Sequence, residues 1–374
     1  MPTNGIPPNL PTLGAVDVET QFIDLRDPVV LDAGRELHDV RIAYETYGEL
    51  SEARDNVVLV CHALSGDAHA AGTTPGALSA GELDAKALGW WDPMIGPGRA
   101  FDTDRWHVVC TNLLGGCRGT TGPSSLDPEK GKPYGSSFPP LTVADLVRTQ
   151  HMFLRELGID SVLCVTGASL GGMQALQFAV DYPDFVRSVV AIASTAHLDA
   201  QGVALNHVAR TAITSDPDFQ GGDYYGTGRE PRAGMAIARQ IGHITYLSKH
   251  SLRAKFPGER FAVESYLAYQ GEKFVARFDA NTYLLFSKAI TRFDMPPERF
   301  ADARARFLLI SFTSDWIYPP SDSDELEAAL RAGGRDVEHV TFETSYGHDS
   351  FLLEDEGQAE IIRPFLERTY EETR

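Results

Sequence analysis

Continuous apolar runs along the chain predict the strands of a parallel sheet. The runs NVVLVCHA, RWHVVCTN, SVLCVTGA, SVVAIAS and RFLLISF are short and rich in β-branched residues. Such runs are typical of strands that are covered on both faces. The segment HDVRIAYETYG, residues 38–48, alternates polar and apolar residues instead, which predicts an antiparallel or edge strand exposed on one face.

A helix is predicted between two of these runs. TVADLVRTQHMFLREL begins at Thr142, has Asp145 three residues later as in a capping box, and is followed by Gly158. Its apolar residues recur with the helical period. The alternation of strand, helix, strand and helix indicates an α/β fold.

The alternation stops after SVVAIAS. Residues 195–306 contain no convincing strand but several helical patterns, among them ALNHVARTAI and GMAIARQIGHITYL. A structureless loop of that length is implausible. We therefore predict a helical cap at 195–306, inserted into a catalytic domain made of residues 1–194 and 307–374. The Pro- and Gly-rich first ~15 residues are expected to form a loose arm.

Charge and composition narrow the class of protein. The chain has 33 Lys+Arg against 52 Asp+Glu, a formal net charge of −19, which argues against nucleic acid and against anionic membrane surfaces as partners. No apolar run reaches the ~18 to 20 residues of a spanning helix, and the N-terminus has no signal-peptide pattern, so we expect a cytoplasmic protein. The cysteines lack disulfide or zinc spacing. They are Cys61, Cys110, Cys117 and Cys164.

The sharpest chemical motif is the sequence Gly-Ala-Ser-Leu-Gly at residues 167–171. It follows an apolar strand and precedes a helical pattern, and Gly172 comes directly after it. This is G-x-S-x-G in the strand-turn-helix setting of a nucleophile elbow, in which a strained turn exposes the serine. Ser169 is therefore the candidate nucleophile.

A serine nucleophile needs a base and an orienting carboxylate. Asp315 follows the strand RFLLISF, and His348 follows the next predicted strand, so their order after Ser169 fits a Ser-Asp-His triad. His62 and His69 match no metal-ligand spacing and are interpreted as loop residues. No metal is expected.

Acyl transfer also needs an oxyanion hole. The backbone N–H of Leu170, directly after the serine, is the first candidate donor, and the N–H of Leu64, in the loop after VVLVC, is nominated by position alone as the second. The stretch NLLGGCRGTTGPSS is not a phosphate-binding loop by pattern, and we interpret it as a tight active-site loop.

Two stripes on one predicted cap helix suggest a substrate-binding face. Ile237, Ile241 and Ile244 form an apolar stripe expected to pack inward. A second stripe lies about 200° away at ~100° per residue and consists of Arg239, His243 and Tyr246. From the residues alone a solvated face is favoured. If the stripe overlooks Ser169 instead, Arg239 would bind a substrate carboxylate and Asp349, next to His348, its amino group, which suggests an amino-acid substrate.

Several motifs together resemble the homoserine O-acyltransferase family of α/β-hydrolase-fold enzymes, in particular its acetyltransferases. They span about Tyr44 to Phe365 and are CHALSGDAH, WWDPMIGPG, CTNLLGGCRGTTGPSS, GASLGGMQALQFA, ARQIGHITYLS, SFTSDWIYPP and YGHDSFLLE. The resemblance implies Ser169, His348 and Asp315 as the triad. It also implies Arg239 at the substrate carboxylate with Tyr246 nearby, Asp349 at the amino group, a role in methionine biosynthesis, and a homodimer joined through the caps.

The acyl donor is judged from Ile317. Relatives that use succinyl-CoA resemble this chain but tend to carry an arginine two residues after the triad aspartate, so an isoleucine there favours acetyl-CoA as co-substrate, with no permanently bound cofactor. The expected mechanism is ping-pong acyl transfer to L-homoserine. The alternatives are a succinyltransferase, a serine O-acyltransferase, an esterase or hydrolase with the same triad, and a non-catalytic binding protein of this fold.

Overall fold

The computed structural model describes residues 17–74 and 88–373. The loose arm expected at the N-terminus lies outside the described residues. The strands, in chain order, are β1 (Gln21–Asp24), β2 (Val29–Val30), β3 (Glu36–Leu37), β4 (Arg41–Tyr47), β5 (Val57–Cys61), β6 (Ile95–Gly96), β7 (Phe101–Asp102), β8 (His107–Thr111), β9 (Leu126–Asp127), β10 (Lys132–Pro133), β11 (Val162–Ala168), β12 (Val186–Ile192), β13 (Arg306–Phe312) and β14 (Val337–Phe342).

Helices account for most of the remaining regular structure. They are α1 (Val143–Glu156), α2 (Leu170–Asp181), α3 (Ala200–Thr214), α4 (Arg232–Tyr246), α5 (Lys249–Lys255), α6 (Ala262–Val275), α7 (Ala280–Arg292), α8 (Pro320–Ala332), α9 (Ser350–Leu353) and α10 (Asp355–Thr373). Within residues 17–74 and 88–373, no helix is both long and apolar enough to cross a bilayer.

The central sheet has eight strands in the order β1-β4-β8-β5-β11-β12-β13-β14. From β8 to β14 each neighbouring pair is parallel, whereas β4 runs antiparallel to β8 and to β1. The sheet is covered on both faces, because Val57 and Leu59 belong to one buried cluster and Val58 and Val60 to another. The α/β fold with a mostly parallel sheet is thus confirmed.

The alternating segment 38–48 was predicted correctly as antiparallel but wrongly as exposed on one face. β4 is covered at its edge by β1, and the Glu45 side chain is 1% exposed. The Glu45 carboxylate accepts hydrogen bonds from the Thr20 and Tyr47 hydroxyls and lies 2.9 Å from His69 Nδ1. A charged side chain can be buried when it has hydrogen-bond partners, and a hydropathy pattern does not reveal those partners.

The capping box at the start of α1 is confirmed. The Thr142 hydroxyl accepts from the Asp145 N–H, and the Asp145 carboxylate accepts from the Thr142 N–H. Gly158, just beyond the helix, has φ 70°, a conformation that glycine adopts without steric cost. The end of the helix is therefore set by the same residues that predicted it.

Helices fill the interval between β12 and β13. α3 to α7 all lie there, and α4 packs between α3 and α6. The helical content predicted for 195–306 is confirmed. Elsewhere in the described chain, the four cysteines form no disulfide, and three of them are buried. The division into two domains at these boundaries stays a prediction.

Candidate active site

Ser169 lies in a strained turn between β11 and α2. Its backbone has φ 58° and ψ −121°, a conformation that side-chain-bearing residues rarely adopt. Space for the turn depends on its glycines, since a Cβ on Gly167 or Gly171 would collide with the Cys61 carbonyl oxygen. Ser169 therefore lies directly after the end of β11 and lines a cavity.

Hydrogen bonds hold this turn in place. The Ser169 N–H donates to the Ile192 carbonyl at 3.0 Å, and the Ser194 hydroxyl donates to the Ser169 carbonyl at 2.9 Å. Strained conformations persist where the surroundings over-determine them, and they cluster at functional sites. The geometry is that of the nucleophile elbow expected from the sequence.

Asp315 and His348 form a buried pair beside the serine. Asp315 follows β13, His348 follows β14, and Nδ1 of the imidazole lies 2.7 Å from Oδ2 of the carboxylate. Asp315 is 3% exposed and His348 is 4% exposed. Burial alone would lower the pKa of His348, but the charge and hydrogen bond of Asp315, with the charge of Asp349, outweigh it and raise the pKa. The carboxylate keeps the proton on Nδ1, which leaves Nε2 as the basic nitrogen.

The serine and the histidine share one cavity. Both line it, together with Leu64 and Ile317. In the part of the chain that the structure describes, no hydrogen bond joins the Ser169 hydroxyl directly to His348; such bonds are often long in a free enzyme and tighten with substrate. Tyr318 lines the same cavity, close enough for the Ser169 hydroxyl to affect the pKa of its phenol. Sequence reasoning missed Tyr318, although it stands next to Ile317 in SDWIYPP.

The two oxyanion-hole candidates lie at the same sheet edge. Leu170 is the first residue of α2, so its N–H is one of the free donors of the helix N-terminus. Leu64 lies in the loop after β5. In that loop the His62 imidazole contacts the Ala63 carbonyl at 2.7 Å, and Arg277 donates to the Ser65 carbonyl at 3.0 Å.

His62 and His69 lie in this loop, as predicted, and both have structural partners. His62 Nε2 accepts from the Leu113 N–H at 3.2 Å, which makes the ring neutral, in agreement with a pKa lowered by burial. His69 contacts the buried Glu45. One possible metal-ligand trio, Asp324, Glu327 and His339, occurs within residues 17–74 and 88–373, and none of its members lines the Ser169 cavity.

The prediction for the two stripes of α4 has to be corrected. Two of the three isoleucines do not pack inward, because Ile237 is 48% and Ile244 is 45% exposed, whereas Ile241 is partly buried, packs against the core and lines the Ser169 cavity. The buried side of the helix carries small residues, with Ala238 fully buried and a Cβ on Gly234 colliding with the Ala212 carbonyl oxygen of α3. Periodicity identifies opposite faces of a helix, but it does not say which face is inside.

The polar stripe of α4 is buried or partly buried, and one of its residues lines the cavity. Tyr246 lines the cavity, with its ring 6.0 Å from the His348 ring. The Arg239 guanidinium lies 5.6 Å from the Tyr246 ring and 4.8 Å from the Phe274 ring, and its Nη1 is 3.5 Å from the Ser65 hydroxyl. His243 is buried, and burial with the Arg239 charge lowers its pKa to about 3. The solvated-face interpretation is thus wrong.

The pKa of the buried Asp349 carboxyl group is affected by nearby positive charges, among them that of Arg239. Burial raises the pKa of Asp349 to about 6, against the lowering effect of the charges on His348 and Arg239. The Arg239 guanidinium lies over the Tyr246 ring, Asp349 follows His348 in sequence, and both Tyr246 and His348 line the cavity. A guanidinium and a carboxyl group next to a cavity are what recognition of an amino acid would require.

The Gly-rich loop is tight, as predicted, but it does not line the Ser169 cavity. The Gly115 carbonyl accepts from the Thr282 hydroxyl at 2.8 Å, and Cys117 lines a second cavity with residues of α7. The residues that contact this loop, such as Thr282, lie more than 100 positions away in sequence. A local sequence pattern therefore could not show which cavity the loop lines.

Comparison with known proteins agrees with this geometry. Residues 56–355 match the family model of the α/β-hydrolase fold. A homoserine O-acetyltransferase of Methanosalsum zhilinae is 48% identical over 93% of this chain and 73% of its own length. A homoserine O-succinyltransferase of Halothiobacillus neapolitanus is 48% identical over 90% of this chain and 86% of its own. The crystal structure of a homoserine O-acetyltransferase from Bacillus anthracis superposes with a TM-score of 0.84 and 27% identity, covering 95% of this chain and 97% of that one.

Proposed function

The chain belongs to the homoserine O-acyltransferases of the α/β-hydrolase fold, and on this premise we propose that it transfers the acetyl group of acetyl-CoA to the hydroxyl of L-homoserine. The products are O-acetyl-L-homoserine and CoA, and the reaction would serve methionine biosynthesis. The observation that carries the proposal is the buried Asp315–His348 hydrogen bond at the cavity that Ser169 also lines.

The proposed mechanism has two half-reactions. His348 Nε2 takes the proton of Ser169, whose oxygen attacks the thioester carbonyl; the oxyanion accepts from the N–H groups of Leu64 and Leu170, and protonated CoA leaves. The homoserine hydroxyl then gives its proton to His348 and attacks the acetyl-enzyme. Ser169 leaves as the alcohol, taking its proton from His348.

Recognition of the acceptor is assigned to three side chains. Arg239 binds the homoserine carboxylate, Asp349 binds its ammonium group, and Tyr246 packs beside them. The proposal is supported by Tyr246, which lines the cavity, by the Arg239 guanidinium 5.6 Å from the Tyr246 ring, and by the position of Asp349 directly after the cavity residue His348. Two fixed charges of opposite sign hold the acceptor hydroxyl near the acyl carbon, so that transfer outruns hydrolysis.

The acyl donor is assigned from Ile317. It lines the cavity with Leu198 and Ile290, an apolar wall that suits a methyl group and offers no partner to a succinyl carboxylate. A second candidate donor is succinyl-CoA, because a relative named homoserine O-succinyltransferase is as similar as one named acetyltransferase. Acetyl-CoA is a substrate, and we propose no permanently bound cofactor.

We further propose a cytoplasmic homodimer joined through the cap, with the cap at 195–306 and the catalytic domain at 1–194 and 307–374. Ile237 and Ile244 support the dimer, because both are large apolar side chains exposed on α4. An apolar stripe of this kind is typical of an interaction surface.

The test is release of CoA thiol by the purified protein from acetyl-CoA and from succinyl-CoA, each with homoserine, with serine or without acceptor. Release from acetyl-CoA that depends on homoserine, with a product heavier by one acetyl group, is the expected result. Preference for succinyl-CoA or serine would overturn the specificity, and equal release without acceptor would mean a hydrolase. Ser169→Ala is the control and should remove the release in every arm.

A further inference from the structure

One buried side chain that the mechanism above does not use contacts Asp315 and His348 and lines the same cavity as Ser169. It is Tyr318, which lines the Ser169 cavity and is 4% exposed. We propose that the Tyr318 hydroxyl is a catalytic hydrogen-bond donor to Ser169 Oγ, which stabilises the charge that develops on this oxygen in both half-reactions. The inference rests on the proposed function, because it concerns the same nucleophile.

The position of Tyr318 is fixed by the triad itself. Its N–H donates to Asp315 Oδ1 at 3.1 Å, and the N–H of Ile317 donates to the same oxygen at 2.9 Å. Its ring packs against the His348 imidazole with a centroid distance of 5.3 Å. Tyr318 is therefore held by Asp315, the group that also orients His348, at the cavity that Ser169 lines.

Tyr318 and Ser169 line one cavity, and the Ser169 hydroxyl is close enough to lower the pKa of the Tyr318 phenol, against the larger effect of burial. Burial raises the pKa of Tyr318, and the neighbouring charge of Asp315 acts in the same direction, so the phenol stays protonated throughout the working pH range. A protonated phenol can donate to the serine oxygen while the serine proton is passed to His348.

This role differs from that of the oxyanion hole. The N–H groups of Leu64 and Leu170 face the carbonyl oxygen of the substrate, whereas Tyr318 faces the serine oxygen. Negative charge grows there when the serine proton leaves in the first half-reaction, and again when the acyl–oxygen bond breaks in the second. A donor fixed on that atom stabilises both transition states without reorganisation.

Tyr318→Phe tests the proposal, because phenylalanine keeps the ring on His348 and removes only the hydroxyl. We expect both half-reactions to slow by about tenfold, the size of one hydrogen bond to a charged atom. Reaction of Ser169 with a fluorophosphonate should slow by the same factor. Tyr44→Phe is the matched control: it removes the hydroxyl bonded to Gln21, far from the cavity, and should leave both rates unchanged.

The pH–rate profile separates a donor from a residue that merely positions His348. Because Tyr318 does not titrate in the working range, the midpoint of the profile should be the same in Tyr318→Phe and in the unaltered protein. Unchanged labelling and turnover rates would overturn the proposal, and so would a slower variant with a shifted midpoint. A double-mutant cycle of Ser169→Ala and Tyr318→Phe on the unfolding midpoint checks folding and the contact itself, which should make the two effects non-additive.

Fluorophosphonate labelling involves neither CoA nor homoserine. If the labelling responds as expected while homoserine accepts no acyl group, the substrate assignment fails and the role of Tyr318 stands. If turnover with homoserine is as proposed but labelling ignores the Tyr318 hydroxyl, the role of Tyr318 fails alone.

Discussion

Replacing Asp315 by asparagine should inactivate the protein through the tautomer of His348. Oδ1 of Asp315 accepts from the N–H groups of Ile317 and Tyr318 at 2.9 and 3.1 Å, and Oδ2 lies 2.7 Å from His348 Nδ1. An asparagine must keep its only oxygen toward the two N–H donors. Its NH2 group then faces Nδ1, which has to become an acceptor, so the proton of the ring moves to Nε2.

A histidine protonated on Nε2 cannot take the proton of Ser169. We therefore expect kcat to fall by about 10⁴-fold, the loss associated with the wrong tautomer in Ser-His-Asp triads. The loss corresponds to about 5 kcal/mol of transition-state stabilisation. The fold should persist, because the amide matches the carboxylate in size and the two backbone donors keep their partner.

The pH dependence of the rate gives a second test of Asp315→Asn. The charge and hydrogen bond of Asp315 oppose burial and raise the pKa of His348, so activity, which needs the neutral base, rises with pH through that raised pKa. Without the carboxylate, burial dominates and the pKa falls, so the acid limb of the residual activity should move to lower pH.

The assay is initial-rate release of CoA thiol between about pH 5 and 9. Asp184→Asn, at an exposed side chain paired with Arg304, is the matched control and should keep the full rate. If Asp315→Asn retains more than about a tenth of the activity, or if its acid limb moves to higher pH, the argument from the tautomer is wrong.

Three further predictions concern the substrates. Arg239→Lys keeps the charge but loses the fork-shaped donor, so KM for homoserine should rise about tenfold with little change in kcat, while Arg299→Lys, at a surface ion pair, should change neither in steady-state kinetics. Ile317→Arg should raise the ratio of kcat/KM for succinyl-CoA to that for acetyl-CoA, and an unchanged ratio would remove Ile317 from donor selection. Because the pKa of Asp349 is raised to about 6, its carboxyl group becomes neutral below that pH, and KM for homoserine should rise there. A KM that is flat through pH 6 would contradict the role of Asp349 in binding the amino group.

The sheet and the candidate triad could be predicted because both leave local marks in the sequence. Strands covered on two faces need continuous apolar runs, and the turn at Ser169 needs glycines on either side. The order of Asp315 and His348 after the serine follows from the chain reaching the same sheet edge at the end of β13 and of β14.

What failed depended on contacts between distant parts of the chain. The backbone of α3 approaches α4 so closely at Gly234 that no side chain fits there, which helps to decide which face of α4 lies inward. Glu45 is buried because Thr20, Tyr47 and His69 contact its carboxylate, and Tyr318 lines a cavity enclosed by seven separate stretches of the chain. Apart from Tyr47, which is two residues from Glu45, these partners are distant in sequence.

The backbone conformation at Ser169 serves catalysis but lowers the stability of the fold. A residue with a side chain at φ 58° and ψ −121° carries strain of about 1 to 3 kcal/mol, which glycine would relieve. A chain selected for stability alone would therefore gain from losing this serine. The serine is kept because catalysis needs it, although it destabilises the fold. In descendants that no longer need the reaction, we expect Ser169 to be among the first residues replaced.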